Sequence, residues 1–245
     1  MNLSETAKKS IAFYGGRSLW HSAKYLTAQV NAFGLAFTLK RRPFFSHAKL
    51  VQSIDRPFSK LTPIGKDPSI TGVLDGQDVH LENEHGEIIA KRKYARDYFT
   101  VGRRFFYWDD LDMTYFANYA FWNYFTLPVL LMRDDITWKE LETGLLEAKF
   151  PDGIPTHYRV PQFRFDPDTG HLIQNNYTAD IISKFAKAAN VVLRHSKNEN
   201  GLLYPSVRRV TPTRQNSAPF NCPVLIFIEV LDFRLLYEDV NDHLT

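Results

Sequence analysis

Apolar and polar residues alternate along much of the N-terminal part of the chain, a pattern that is typical of strands with one buried face. Residues 27–39 predict one such strand. Shorter strands are expected at about 47–55, 58–63, 70–75, 78–83 and 87–93. Asp75-Gly76 separates two of them and is a strong signal for a tight hairpin. This part of the chain is therefore expected to form an antiparallel meander.

Between residues 109 and 127 the pattern becomes that of a helix with apolar side chains on every face. Asp109 or Asp110 is suited to the N-cap, and Pro128 ends the helix. A helix that is apolar all round is enclosed by protein. The uncharged stretch 113–132 has the length of a membrane span, but its asparagines are costly to bury in lipid. A core helix is therefore favoured over a membrane-dipping helix.

The C-terminal part of the chain returns to a strand pattern. Strands are expected at about 155–165, 171–178, 188–196, 202–211 and 223–235, after a short amphipathic helix at about 138–146. The segment 181–195 is ambiguous, because its composition also suits a helix. The continuous apolar run 224–231 predicts a strand in the middle of the sheet.

The chain is expected to be a single domain over residues 1–245, because no Ser/Gly/Pro-rich linker divides it. Residues 1–16 form a helical extension in this interpretation, with Ser4 as the N-cap and Gly15-Gly16 at the end. Residues 109–127 form the central buried helix. The predicted fold class is α+β: a single curved antiparallel sheet, or half-barrel, that wraps one or two central helices.

Composition and charge exclude several classes of function. The net charge of +3 is too small to indicate a nucleic-acid partner, and the 14% of aromatic residues are explained by core packing. The histidines have no metal-ligand spacing and no nucleotide-binding motif is present, so neither a metal nor a cofactor is predicted. The apolar run after Lys8 and Lys9 is too short for a signal peptide. With a single cysteine, the protein is expected to be cytoplasmic.

Three stretches resemble an uncharacterised family of bacterial proteins. They are RRFFYWDDLDMTYFANYAFWNYFTLP (103–128), FPDGIPTHYRVPQFRFDPDTGHLIQNNYTADI (150–181) and GLLYPSVRRVTP (201–212). The sheets of that family are similar to those of the lipoprotein-carrier and lipoprotein-sorting fold, a half-open antiparallel barrel closed by helices. The resemblance implies strands across about 188–196 and a cavity suited to apolar or acyl-like ligands. It implies no catalytic residue.

Candidate acid–base residues follow from the turn at 166–171. If Phe165 pairs with Leu172 across this turn, His157 lies opposite Asp180, and a histidine beside a carboxylate can act as a general base. The alternative is a simple ion pair at the end of the strands. Asp109 and Asp110 are further candidates, although N-capping also explains them. Tyr177 is a weaker candidate for the same role.

Candidate binding residues lie on the predicted central helix. Tyr115, Asn118, Tyr119, Trp122 and Asn123 carry polar atoms on a helix that should be buried. These atoms either bond to the surrounding sheet or face a cavity that holds a polar part of a ligand.

Three further binding candidates come from other parts of the sequence. Trp20 and His21 are placed near the same space by composition alone. Arg208, if it points inward, either holds a ligand or pairs with a core acid such as Asp180 or Glu229.

The leading hypothesis for function is a protein that encloses an apolar or aromatic small molecule between the sheet and helix 109–127. In one version it is a cofactor-independent cyclase, isomerase or hydrolase with one acid–base group. In the other it is a non-catalytic carrier of a hydrophobic, acyl-like ligand. A peripheral membrane protein that uses 113–132 is a third possibility, although stable membrane insertion is not expected. The sequence does not predict an oligomeric state.

Overall fold

Thirteen antiparallel strands form one open, curved sheet in the computed structural model, which describes residues 3–100 and 102–238. The strands are β1 (Tyr25–Phe33), β2 (Phe45–Ser53), β3 (Phe58–Thr62), β4 (Thr71–Asp75), β5 (Asp78–Glu82), β6 (Ile88–Arg92), β7 (Thr137–Glu142), β8 (Leu145–Lys149), β9 (Gln162–Phe165), β10 (Leu172–Thr178), β11 (Lys187–Lys197), β12 (Leu203–Pro212) and β13 (Ile226–Leu236). The helices are α1 (Glu5–Phe13), α2 (Gly16–Ser22), α3 (Leu35–Leu39), α4 (Arg103–Phe106), α5 (Asp110–Phe125) and α6 (Leu127–Leu130). The predicted α+β fold with a half-barrel sheet is confirmed.

The sheet consists of two meanders that meet at its centre. Strands β1 to β6 follow one another from the centre to one edge, and β7 to β13 run from the other edge back to the centre. Strands β1 and β13 pair there over nine residues of β1. Strand β13 is the seventh of the thirteen, so the prediction that the apolar run 224–231 lies in a central strand is confirmed.

Helix α5 lies on the connection between the two edge strands β6 and β7, so it crosses the face of the sheet. Asp109 caps it with a reciprocal capping box, in which Asp109 accepts from the Asp112 N–H and Asp112 accepts from the Asp109 N–H. Every residue from Asp112 to Phe125 is buried. The predicted enclosed helix is confirmed.

Helix α5 packs most closely on β3, β4 and β5. Gly72 of β4 allows this approach, because a Cβ there would lie 2.4 Å from Thr114 Oγ1. The polar atoms of the helix reinforce the contact. The Asn118 amide donates to the Gly72 carbonyl at 3.2 Å, and the Trp122 indole donates to the Ser53 carbonyl at 2.8 Å. The helix is therefore held close to one meander and lies farther from the central strands.

Two predictions about secondary structure in and near the meanders are wrong. Residues 27–39 do not form one strand: β1 ends at Phe33, Gly34 adopts φ 139°, and α3 follows. Residues 138–146 form the β7–β8 hairpin instead of a helix, with Gly144 at φ 81° in its turn. In the first segment, the alternation of apolar and polar residues continues past the end of β1. In the second, the apolar residues have helical spacing by chance. Periodicity therefore predicted the wrong structure for both segments.

Three further segments can be compared with their predictions. Strand β9 begins only at Gln162, because Pro155 and Pro161 cannot donate to a ladder. The ambiguous segment 181–195 is resolved as β11 from Lys187, as the family resemblance implied. Helix α1 begins after Ser4, whose hydroxyl accepts from the Ala7 N–H, as predicted.

Candidate functional site

Two small cavities lie between α5 and the central strands, and we call them together the α5 seam. Both are lined by Phe37, Met113, Phe116 and Ile226. Lys40 and Trp108 border the first cavity, at what we call the Lys40 end. Tyr124 and Ile228 border the second, at the Tyr124 end. Apart from the Lys40 amine and the Tyr124 hydroxyl, the side chains named here are apolar.

The α5 seam is almost filled by its own side chains. Each cavity has a volume of only about 20 Å³, which is close to the space that one water needs. The gap between α5 and the central strands is bridged by large aromatic rings such as Phe121 and Phe125, which stack at 5.6 Å. A larger guest therefore enters only if side chains move. Met113 is suited to this, because methionine is unbranched and adapts its shape.

A buried group of three tyrosines and one histidine lies at the Tyr124 end, and we call it the His157 cluster. The Tyr119 hydroxyl is 2.9 Å from His157 Nδ1, and the Tyr124 hydroxyl is 2.8 Å from Nε2. The Tyr177 hydroxyl lies 3.1 Å from that of Tyr124, and its ring stacks on the imidazole at 4.2 Å. Both imidazole nitrogens are therefore occupied.

The electrostatics of the His157 cluster favour neutral groups. Burial, together with a smaller effect of the Arg96 charge, lowers the pKa of His157 to about 3. Burial also raises the pKa of Tyr119 and Tyr177 well above the usual value for a phenol. At neutral pH the cluster is thus an uncharged hydrogen-bonded unit in the core.

His157 and Asp180 are neighbours, but their side chains do not pair. The Asp180 N–H donates to the His157 carbonyl at 3.3 Å, whereas the Asp180 carboxylate pairs with Arg96. Phe165 does pair with Leu172 as predicted, but a bulge follows, so Phe163 pairs with Asn175 instead of Gln174. The predicted histidine–carboxylate hydrogen bond is wrong for this reason, and Tyr177 takes the place beside the imidazole.

Asp109 and Asp110 lie at the N-terminus of α5 and are held by arginines. Arg92 pairs with Asp109 at 2.7 Å and with Asp112 at 2.6 Å, and Arg42 pairs with Asp110. These ion pairs join the helix start to β6 and to the segment after α3. Neither aspartate lines the α5 seam.

The other predicted binding residues have separate positions. Asn118 and Trp122 hold α5 on the sheet, and the Asn123 amide donates to the carbonyls of Tyr119 and Pro155. The Tyr115 hydroxyl lies beside the Arg96 guanidinium, and burial raises its pKa. Of the two predicted alternatives, these side chains follow the one in which their polar atoms bond to the surrounding protein.

Trp20 is buried and donates to the Tyr14 carbonyl at 2.6 Å. It lines a cavity of about 10 Å³ beside Tyr124 and Phe233. The neighbouring His21 is exposed at the end of α2, so the expectation that it lies near the interior is wrong.

Arg208 points inward, as one of its two predicted orientations requires, and is 1% exposed. Its Nη2 donates to the Tyr124 carbonyl at 3.2 Å. The predicted pairing with a core acid is wrong. The Asp180 carboxylate pairs with Arg96 instead. Arg208 pairs with Ile228 across β12 and β13, so Glu229, the next residue, faces the other side of the sheet.

Sequence reasoning missed most of the seam lining. Phe37 was assigned to a strand, and Met113 and Phe116 were recognised only as apolar helix positions. The apolar run in β13 was the one available signal, since it contains Ile226 and Ile228. Asn190, a fully buried amide in β11, was also missed. An asparagine inside an apolar strand could have indicated it.

Comparisons with known proteins support the fold. One solved structure, a LolA-superfamily protein from Nitrosomonas europaea, aligns with a TM-score of 0.52 and 9% identity over 99% of this chain and 96% of that chain. A putative outer membrane lipoprotein-sorting protein domain from Vibrio parahaemolyticus aligns with a TM-score of 0.48 and 12% identity over 98% and 95%. No family model and no curated protein matches the sequence. At 9% identity the likeness to the Nitrosomonas europaea protein is one of fold alone, and the chain has a LolA-like fold.

Residues 3–100 and 102–238 contain neither a candidate metal site nor a candidate membrane-spanning helix. No cluster of three or more histidine, cysteine or acidic side chains has the arrangement of a metal site there. None of the described helices has both the length and the apolar character that crossing a bilayer requires.

Proposed function

We propose that this protein binds an elongated apolar molecule in the α5 seam and acts as a carrier or binding module. The observation that carries the proposal is that the two cavities are adjacent: they share four apolar lining residues between α5 and the central strands. Burial of apolar surface would supply the affinity. The LolA-like fold is consistent with this use of the space between sheet and helix.

The dimensions of the seam suggest the size of the ligand. Its lining runs along α5 from Met113 to Tyr124, which corresponds to about 16 Å at the helical rise. An extended chain of about twelve carbons has a similar length. A linear acyl-like chain therefore fits the seam better than a broad, fused-ring molecule.

The geometry favours binding over catalysis. A general base needs a free lone pair and a pKa near the working pH. His157 has both nitrogens engaged by tyrosines, and burial holds its pKa near 3. Asp180, the expected partner, is engaged by Arg96. The proposal therefore gives the His157 cluster a structural role at the end of the binding site.

Titration calorimetry with dodecanol tests the proposal. Wild-type protein should bind this uncharged probe, whereas Ala120→Leu, which fills the seam, should bind it at least about tenfold more weakly, because Ala120 lines the second cavity. Ala148→Leu is the matched control. Ala148 is equally buried but belongs to a different part of the core, so this variant carries a similar packing cost and should keep its affinity.

Two results would contradict the proposal. One is an absence of dodecanol binding to the wild-type protein at any soluble concentration. The other is an equal loss of binding in Ala120→Leu and Ala148→Leu, since that pattern would reflect loosened packing in general.

A further inference from the structure

The guanidinium of Arg208 is buried in the core without a carboxylate. Its single hydrogen bond is the one to the Tyr124 carbonyl, and its Nε and Nη1 have no partner among the described residues. Nε carries one hydrogen and Nη1 carries two. Arg208 is 1% exposed. The neighbouring strands β11 and β13 have no acidic residue on the same face of the sheet.

A buried cation of this kind is costly. Burial lowers the pKa of Arg208, but an arginine stays protonated in proteins and cannot avoid the cost by losing its proton. A partial compensation comes from the Tyr124 ring, whose centroid lies 5.0 Å from the guanidinium carbon. An anionic oxygen would satisfy the remaining donors far better, through charge-assisted hydrogen bonds.

Other unsatisfied polar groups lie on the same face. Asn190 is fully buried, and neither its Oδ1 nor its Nδ2 has a hydrogen-bond partner of good geometry. Burial raises the pKa of the Tyr124 hydroxyl, and the nearby Asn190 amide opposes this rise. Asn190 pairs with Val210 of β12, and Arg208 lies two residues before Val210, so both point to the same side. The Asn190 amide can add a donor to those of Arg208.

The Arg208 group adjoins the Tyr124 end of the α5 seam. Tyr124 lines the second cavity and contacts Arg208 through both its ring and its carbonyl. Ile228 lines the same cavity and is the residue paired with Arg208 across β12 and β13. Arg208 itself lines neither cavity, but these contacts place it next to the second one. An apolar chain in the seam would reach the guanidinium donors past the Tyr124 ring.

We propose that the ligand is a long-chain carboxylate, with its apolar chain in the α5 seam and its head group on Arg208 and Asn190. This inference rests on the proposed function and names the class of ligand. A carboxylate is favoured among anions because it is small, and the space at this end of the seam is tight. Arginine also matches the planar carboxylate well.

The test compares dodecanoate with dodecanol, which differ only in the head group, by titration calorimetry. Wild-type protein should bind dodecanoate at least about tenfold more tightly, as expected for hydrogen bonds to a charged group. Arg208→Met should reduce this preference to within about threefold. Arg209→Met is the matched control, because Arg209 is the next residue and faces the opposite side of β12, and it should keep the preference.

The outcomes separate the two proposals. Equal binding of the two probes by wild-type protein would overturn the carboxylate and leave the apolar binding site intact. A preference that survives in Arg208→Met would place the head group elsewhere, for example on Lys40 at the other end of the seam, and would also overturn it. No binding of either probe would overturn both proposals. The wild-type comparison needs no variant, and Arg208→Gln replaces Arg208→Met if that protein does not fold.

Discussion

His157 shows how a residue with catalytic chemistry can become a structural one. Its imidazole lies between Tyr119 and Tyr124 and stacks on Tyr177. The two hydrogen bonds link the segment before β9 to α5, and the stacking on Tyr177 links it to β10. A neutral histidine can satisfy two hydroxyls because it donates through one nitrogen and accepts through the other.

The buried imidazole should make stability depend on pH. A histidine in the unfolded chain has a pKa near 6.5, whereas burial lowers that of His157 to about 3. Between these values the unfolded state binds the additional proton, so the free energy of unfolding should fall as the pH decreases, by up to about 1.4 kcal/mol per pH unit. Urea denaturation between pH 7 and pH 4.5 measures this slope.

His157→Gln provides the comparison for that slope. The variant should be less stable at pH 7, because the tyrosine hydroxyls lose their partner, but its stability should fall less steeply towards pH 4.5. His195, whose pKa burial lowers to about 4, titrates in both proteins and cancels in the difference. Parallel slopes for the two proteins would mean that His157 is already protonated or accessible in the folded state.

For single residues, the sequence predicted which residues lie near one another better than it predicted which side chains pair. It placed His157 opposite Asp180, and the two backbones do bond. It could not predict the bulge after Leu172, because one extra residue in a strand leaves little trace in the pattern of side chains. That bulge decides that Asn175 and Tyr177 face the core. Arg208 could be placed inside the protein, but its lack of an acidic partner depends on the register of three strands.

Among the elements, α5 depends on the strand that it touches most closely. Gly72→Ala should destabilise the protein by about 1–3 kcal/mol, because the new methyl group would lie 2.4 Å from Thr114 Oγ1 and force the helix away from β4. Urea denaturation measures the loss.

Gly153→Ala is the control for this substitution. No atom lies within 4 Å of a Cβ at Gly153, so its stability should stay within about 0.5 kcal/mol of wild type. If Gly72→Ala were equally harmless, the close packing of α5 on β4 would be incorrect.

Helix α5 was the element most completely predicted from the sequence. The acidic cap at Asp109, the apolar faces and the end before Pro128 all predict the same helix. Such local preferences are reliable when they agree with the global fold. The β7–β8 hairpin was missed for the opposite reason. Its edge strand β7 is exposed at every position except the half-buried Trp138, so no buried face marked a period of two in that strand.

At the scale of the whole molecule, the order of the strands explains the site. Because the chain runs to one edge, crosses by α5 and returns from the other edge, β1 and β13 meet in the middle of the sheet. The helix is anchored to β3–β5, so side chains of α3 and α5, such as Phe37 and Met113, fill the space between α5 and the central strands. The sequence predicted the curved sheet and the enclosed helix, but not this lateral offset, which depends on long-range packing.

The most direct test of a binding site along α5 is methyl NMR of the methionines during addition of dodecanol. The chain has three methionines, and Met113 lines both cavities of the α5 seam whereas Met132 lines neither. We expect the Met113 methyl signal to shift in a saturable manner while that of Met132 stays in place. A Met113 signal that does not move up to the solubility limit of dodecanol, or a Met132 signal that moves equally, would contradict binding in the seam.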